Sequence, residues 1–258
     1  MLSIHRLPKK VSDRCIYGDA IAVISSDNPK INKKFIFLKN DPDYNDDNLT
    51  ELKFEKGTKL FPVPLRKTTS RLYVSGASGS GKSTYSSKWI QEYHRIFPSD
   101  KVYLISTVEE DEVLDKLDYI ERVEIDEDLA TIPLDEFQDS LVVFDDTNTI
   151  SDKATRKAVS RLRDQLLERG RHHNASCLIT SHLFSNFSDT RLTLLESRDI
   201  TLFPRMGGMT QARRGLKTYV GMSDKQIDKA FKLKSRWITI RKTAPNFVLS
   251  ERDCYLLD

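Results

Sequence analysis

Gly76 to Ser83 read GASGSGKS, which sets glycines, a lysine and a serine in the order G-x-x-x-x-G-K-[ST]. That order suits a polyphosphate. Glycines let the backbone wrap closely and turn its N–H groups inward, and a helix starting there adds the positive end of its dipole. The lysine of such a loop reaches the β- and γ-phosphates, and the hydroxyl after it ligates Mg²⁺. Gly76, Ala77, Ser78, Gly79, Ser80, Gly81, Lys82, Ser83 and Thr84 are therefore the candidate nucleotide-binding residues, with Ser83 as a metal ligand. The flanking pattern agrees: RLYVSG predicts a short buried strand before the loop, and a helix follows from about Gly81 to Phe97.

Hydrolysis of a bound nucleotide needs further groups, one acid to hold the metal shell and one to position water. LVVFDD supplies both, about sixty residues past Lys82. Asp145 ends an apolar strand as the Mg²⁺ partner through water, and Asp146 stands where a side chain would orient the attacking water. There is no LSGGQ signature and no NKxD specificity motif, which disfavours transporter-type ATPases and GTPases; ATP and Mg²⁺ are the expected ligands.

A parallel sheet has to position these residues. From Arg71 onward, strands and helices alternate: RLYVSG, KVYLIS, SLVVFDD and ASCLITSH read as strands, with helices in the gaps. The clearest helix spans 152–169, where Ala154, Ala158, Leu162 and Leu166 recur every four residues and Ser151 is placed to cap its start. After Ser223 comes a short helix, then RWITIRK and NFVLSERDCYLL, joined through TAPN as a terminal strand pair on the sheet edge. Residues 1–70 read as a small β-rich appendage, with β-like runs separated by connectors such as NDPDYNDDN, and 71–258 as the main domain.

Composition bounds the partners. No apolar run approaches the roughly 20 residues needed to span a bilayer. The start, MLSIHRLPKK, has charge but no apolar segment behind it, which argues against a secretory signal and for an intracellular place. Cys15, Cys177 and Cys254 lack the spacing of a disulfide framework or a thiolate metal site. The net charge of +3 hides an asymmetry: Glu109 to Asp139 hold fourteen acidic and two basic residues, whereas Lys153 to Lys242 hold twenty basic and seven acidic. A polyanionic partner for the second half and a set of solvated helix faces both account for this. Within it, PRMGGMTQARRGLK carries Arg205, Arg213, Arg214 and Lys217 without an acid, either a mobile loop gripping DNA phosphates or a basic surface loop.

RGRHHNASCLITSH gathers three of the five histidines, but no H-x₃-H, H-E-x-x-H or Cys/His pairing accompanies His172, His173 and His182. A helix-to-strand junction turned by Asn174 explains the first two more simply than a zinc site.

The strand RLYVSGASGSGKST, the strand LVVFDD, the helix ending LLERGRHHNAS and the strand CLITSH resemble the genome-packaging ATPases of large nucleocytoplasmic DNA viruses and virophages, in the FtsK/HerA superfamily. The likeness spans roughly Arg71 to Leu257. It implies an α/β P-loop NTPase of the ASCE/RecA-like kind, a mostly parallel sheet flanked by helices, with the N-terminal β appendage and the C-terminal edge strands around it. It implies a homo-oligomeric ring that drives double-stranded DNA into a capsid, in the host cytoplasm or virion, with capsid vertex proteins as further partners. It gives Arg171 the part of an arginine reaching into the neighbouring subunit's nucleotide, Arg169 being the alternative. It sets His182 where the family has a glutamine that senses the γ-phosphate. A histidine donates one hydrogen bond there, and its charge varies near neutral pH. Lys82, Asp145, Asp146, Arg171 and His182 are then the catalytic set. Two other readings fit the motifs: a P-loop kinase of a nucleoside or small molecule, with QARRGLK as its lid, and a non-motor ATPase of virion morphogenesis.

Overall fold

The computed structural model describes residues 1–7, 17–39, 49–64, 69–206 and 208–257. Cys15 and the connector 40–48 lie outside them. Among the described residues two sheets form. The smaller one has four antiparallel strands from the N-terminal segment, β1 (Leu2–His5), β2 (Asp19–Ser26), β3 (Phe35–Leu38) and β5 (Thr58–Pro62), in the order β1-β3-β2-β5. The strand between them in sequence, β4 (Glu51–Lys53), leaves that sheet and joins the other.

The large sheet has a parallel block and an antiparallel block. The parallel block comprises β6 (Arg71–Ser75), β7 (Lys101–Ser106), β8 (Ile120–Arg122), β9 (Ser140–Asp145), β10 (Ala175–Ser181) and β11 (Asp199–Leu202), ordered β11-β6-β10-β9-β7-β8. On the β11 side follow β12 (Ile238–Arg241), β13 (Phe247–Ser250), β14 (Asp253–Leu256) and finally β4, each antiparallel to its neighbour. The expected terminal pair is thus three strands, because NFVLSERDCYLL folds back at 251–252, and the sheet edge belongs to β4 from the N-terminal segment.

Strands β9 and β10 are buried along their whole length. Near-continuous apolar runs are what a strand covered on both faces requires. Alternate residues serve opposite layers. Leu72, Val74, Leu141, Val143 and Leu178 pack with Tyr85, Trp89, Ile90 and Tyr93 of α1 (Lys82–Ile96) and with the small sheet. Tyr73, Val142, Phe144, Cys177 and Ile179 pack against Ala158, Val159, Leu162, Leu166 and Leu167 of α2 (Lys153–Arg169). The i, i+4, i+8 spacing on each helix makes its single buried stripe.

Three shorter helices complete the second layer: α3 (Phe187–Glu196), α4 (Met209–Gly215) and α5 (Asp224–Phe231). The α2 cap is Asp152 rather than Ser151: the Asp152 carboxylate accepts from Thr155 N at 2.7 Å. Ser223 caps α5 in a reciprocal box with Gln226. Among the described residues no helix is long and apolar enough to cross a membrane.

Candidate nucleotide site

Strand register brings the carboxyl ends of the parallel strands to one edge. Ser75 of β6 pairs with Ser181 of β10 and Leu202 of β11, and Asp145 of β9 pairs with Ser106 of β7. Ligands of open α/β sheets bind at that edge. Here the loop 76–81 leaves β6, its first amide, Gly76 N, donating to Ser181 O at 3.1 Å. Gly76 has no room for a side chain, since a Cβ would stand 2.6 Å from Ser80 Oγ and 2.7 Å from Phe203 Cδ2. Gly81 caps α1 at φ 100°, a left-handed conformation that glycine adopts without strain. The loop thereby delivers the start of α1, which carries no acidic residue in its first turn.

Lys82 is buried, and its ammonium donates to Gly76 O at 3.0 Å. It also lies 3.2 Å from His182 Nδ1 and 3.7 Å from Asp146 Oδ2, while His182 Nε2 stands 3.0 Å from Asp146 Oδ2. A neutral imidazole protonated on Nε2 satisfies both contacts, accepting from Lys82 and donating to Asp146. The three side chains close a triangle at the mouth of the loop.

Asp145 and Asp146 diverge because the chain turns sharply between them. Asp146 takes a left-handed φ of 45°, which swings its carboxylate toward Lys82 and His182. Thr180 of β10 fixes both acids: its hydroxyl donates to Asp145 Oδ1 at 2.8 Å and accepts from Asp146 N at 2.9 Å. Ser106 Oγ donates to the other Asp145 oxygen at 3.3 Å. Asp145 is only 4% exposed and forms no ion pair among the described residues. Burial is the largest cause pushing its carboxyl above the usual range; the Thr180 bond works against the rise and the Asp146 charge adds to it. A buried carboxylate held by two hydroxyls, without a counter-cation, is a fitting partner for a divalent ion. Ser83, half-buried in the first turn of α1, is the hydroxyl on the loop side.

Lys82, Asp145, Asp146 and His182 therefore meet, whereas Arg171 stands elsewhere. It is exposed in the 3-10 turn Gly170–His173, before the amino end of β10, while His182 follows the carboxyl end. The seven residues of β10 span about 23 Å at the usual strand rise. Arg169 is exposed at the same end. His173 bonds Asp135 through Nδ1 at 2.9 Å, and Asn174 turns the chain at φ 51°, so this junction is held by local structure.

The basic stretch 204–217 is largely helix rather than loop, for α4 begins at Met209. It also has acidic partners, supplied from α5: Arg213 pairs with Asp224 at 3.3 Å and closely with Asp228, and Lys217 pairs with Asp224 at 2.9 Å. Arg205 and Arg214 are exposed and form no ion pair among the described residues. Sequence reasoning missed Thr180, Ser106 and Asn148, whose amide donates to Ser181 Oγ at 3.0 Å. The polar ends of the apolar runs LIS and LITS were the available signal.

A G-x-x-x-x-G-K-S loop, an acidic strand end and, between them, an apolar strand with a polar carboxyl end are the marks of the P-loop NTPase fold. No protein-family model matches the chain. Uncharacterized protein V3 of Sputnik virophage is 39% identical to it over 198 residues, 75% of this chain and 79% of that protein, and the chain belongs to the family of this virophage protein. Among solved structures, the genome packaging NTPase B204 of Sulfolobus turreted icosahedral virus 2, in complex with sulfate, superposes with a TM-score of 0.51 at 11% identity, covering 72% of this chain and 97% of that one. The pCW3 conjugation coupling protein TcpA, with ATPγS, gives a TM-score of 0.50 at 14% identity over 91% of this chain and 77% of that one. The α/β P-loop NTPase fold read from the sequence is met by these structures, and the resemblance to packaging ATPases is met as a likeness of fold to B204.

Proposed function

We propose that the chain is the ATP-hydrolysing subunit of a ring motor that moves double-stranded DNA into a viral capsid. The observation that carries this reading is the separation along β10. The Lys82–Asp146–His182 cluster lies at one end, and an exposed arginine turn about 23 Å away lies at the other, too far along the strand to join that cluster. Such an arginine acts only on a neighbour, as a closed ring of identical subunits arranges. The virophage relative and the packaging-NTPase fold support the same reading.

In the proposed cycle the Lys82 ammonium leaves Gly76 O for the β- and γ-phosphates. Ser83 and Asp145 are the residues that would hold Mg²⁺, which would supply charge stabilisation at the phosphates. Asp146 orients the attacking water and is the site to which its proton moves; His182, bonded to both Lys82 and Asp146, turns its Nε2–H to the γ-phosphate once the triangle opens. The neighbour's Arg171 stabilises charge on the transferred phosphoryl group. Arg205 and Arg214 supply sequence-independent contacts to DNA phosphates, with Arg213 and Lys217 held in reserve by α5. The N-terminal segment is the candidate for docking capsid vertex proteins, and the motor works in the host cytoplasm or the virion.

A lid of the nucleoside-kinase kind needs free arginines over the site; most of QARRGLK instead lies in α4, where Arg213 is tied to α5 and Arg214 alone of the pair forms no ion pair among the described residues. The test is ATP turnover with and without DNA. Wild type is expected to be stimulated by double-stranded DNA of any sequence and Lys82→Ala to be inactive; stimulation by a nucleoside with no DNA effect contradicts the motor.

A further inference from the structure

The P-loop has a cation on each flank. On the β10 side Lys82 faces Asp146 and His182. On the β11–β12 side stands Arg236, two residues before β12, whose first residue Ile238 pairs with Leu202 at the same edge of the sheet. Arg236 Nε, Cζ and Nη2 all lie 3.4 Å from the position a Cβ would take on Gly81. Three planar atoms at one distance mean that the guanidinium rests face-on against the residue that caps α1.

Its backbone is held firmly. Arg236 N donates to Glu251 Oε2 at 2.9 Å, Glu251 N donates to Ser235 Oγ at 3.0 Å, and Ser235 Oγ donates to Trp237 O at 2.6 Å. Trp237 packs edge-on against Tyr85 of α1, with ring centroids 5.3 Å apart. The Tyr85 hydroxyl in turn bonds Thr201 of β11 at 2.8 Å and Thr239 of β12 at 2.9 Å. β12 is thus fixed in register with the P-loop helix, and Arg236 with it.

The side chain has no such compensation. It is exposed and forms no ion pair among the described residues. It is also of the wrong sign for its place, because a helix N-terminus carries positive partial charge and favours anions. No acid in the first turn of α1 offsets it, and the Lys82 ammonium adds to the local positive charge. A bound polyphosphate reverses this unfavourable arrangement.

We propose that Arg236 is a nucleotide-binding residue of the same subunit, contacting the α-phosphate and nucleoside end of the bound nucleotide. Direction decides which end. Lys82 fixes the terminal phosphates on the side of Asp146 and His182, so the rest of the nucleotide leaves the loop on the other flank, where Arg236 is the cation. Its N–H edges suit phosphate or ribose oxygens and its face suits a base. This role rests on the P-loop reading but not on DNA translocation. It differs from that of Arg171, since the part contacted is common to ATP and ADP.

Binding of Mg²⁺-ATPγS and of Mg²⁺-ADP to the full chain, wild type and Arg236→Ala, tests it without DNA. The variant is expected to lose about tenfold or more in affinity for both nucleotides, the usual loss when a hydrogen bond to a charged group is removed. In turnover its KM rises while kcat changes little. Wild-type affinity in the variant overturns the proposal, and so does a loss confined to ATPγS, which would make Arg236 a γ-phosphate residue. A wild-type chain that binds neither nucleotide overturns the P-loop reading beneath it.

Discussion

The two ends of β10 are built differently. At the carboxyl end every polar side chain is engaged: Thr180 serves Asp145 and Asp146, Ser181 accepts from Asn148, and His182 bridges Lys82 and Asp146. At the amino end His173 and Asn174 are tied to Asp135 and Asp139, but Arg171 and His172 stand exposed beside them with no partner among the described residues. Buried polar networks hold geometry because an unmade bond there costs about 1–3 kcal/mol, whereas an exposed guanidinium contributes little to its own fold. One end is tied into a polar network within the subunit, and the other presents an exposed charge.

The largest expected effect that sharpens this contrast comes from the exposed end. Arg171→Ala should lower kcat by about 10³–10⁵, the range for a trans-acting arginine, while nucleotide affinity and unfolding temperature stay at wild-type values. A parallel Arg169→Ala variant should turn over nearly normally; a reversal of the two results assigns the role to Arg169.

Next comes Asp145, at the engaged end. Asp145→Asn should reduce turnover by roughly 10²-fold or more, since a bound metal supplies several kcal/mol of charge stabilisation. Its effect on stability runs the other way. Folding raises the carboxyl of Asp145 above the usual range, chiefly by burial. A group raised on folding stabilises the fold while protonated, and that contribution is lost as pH rises through the folded value. In Mg²⁺-free buffer at neutral pH the Asn variant should therefore unfold at or above the wild-type temperature, and the difference should vanish at pH below the ordinary carboxylate range. Thermal melts across pH check the sign; a variant that melts lower at neutral pH contradicts the uncompensated-charge reading.

The smallest effects concern the basic stretch 204–217. Arg205→Ala and Arg214→Ala should each weaken DNA binding uniformly across sequences and reduce the salt slope by about 1. Arg213→Ala should change DNA binding less, because its guanidinium is already paired with Asp224 and Asp228, and loss of these solvent-screened pairs should leave the unfolding temperature almost unchanged. Salt titrations of binding separate these cases.

The chemistry of the site was legible in the sequence because its parts are local. RLYVSGASGSGKST and LVVFDD each carry their own strand end, and burial on both faces forces the apolar runs that mark β6, β9 and β10. What escaped depends on contacts distant in sequence. Nothing in ELKFEKG reveals that Glu51–Lys53 pairs with β14, some two hundred residues on, at the edge of the large sheet. Likewise the acid-free stretch 204–217 gives no sign that Asp224 and Asp228 will fold back onto it. Arg236 is one basic residue among twenty between Lys153 and Lys242, and only the register of β12 against β11 brings it to the P-loop.

The central claim is that each nucleotide site is completed by a neighbour. It is tested most directly by mixing Arg171→Ala with Lys82→Ala chains and measuring DNA-stimulated ATP turnover. Each variant alone should be inactive. In a mixed ring, an intact P-loop of an Arg171→Ala subunit meets an intact Arg171 of a Lys82→Ala subunit, so turnover should return to a measurable fraction of wild type. Mixtures as inactive as their components, under conditions where wild type assembles and turns over, would contradict completion in trans.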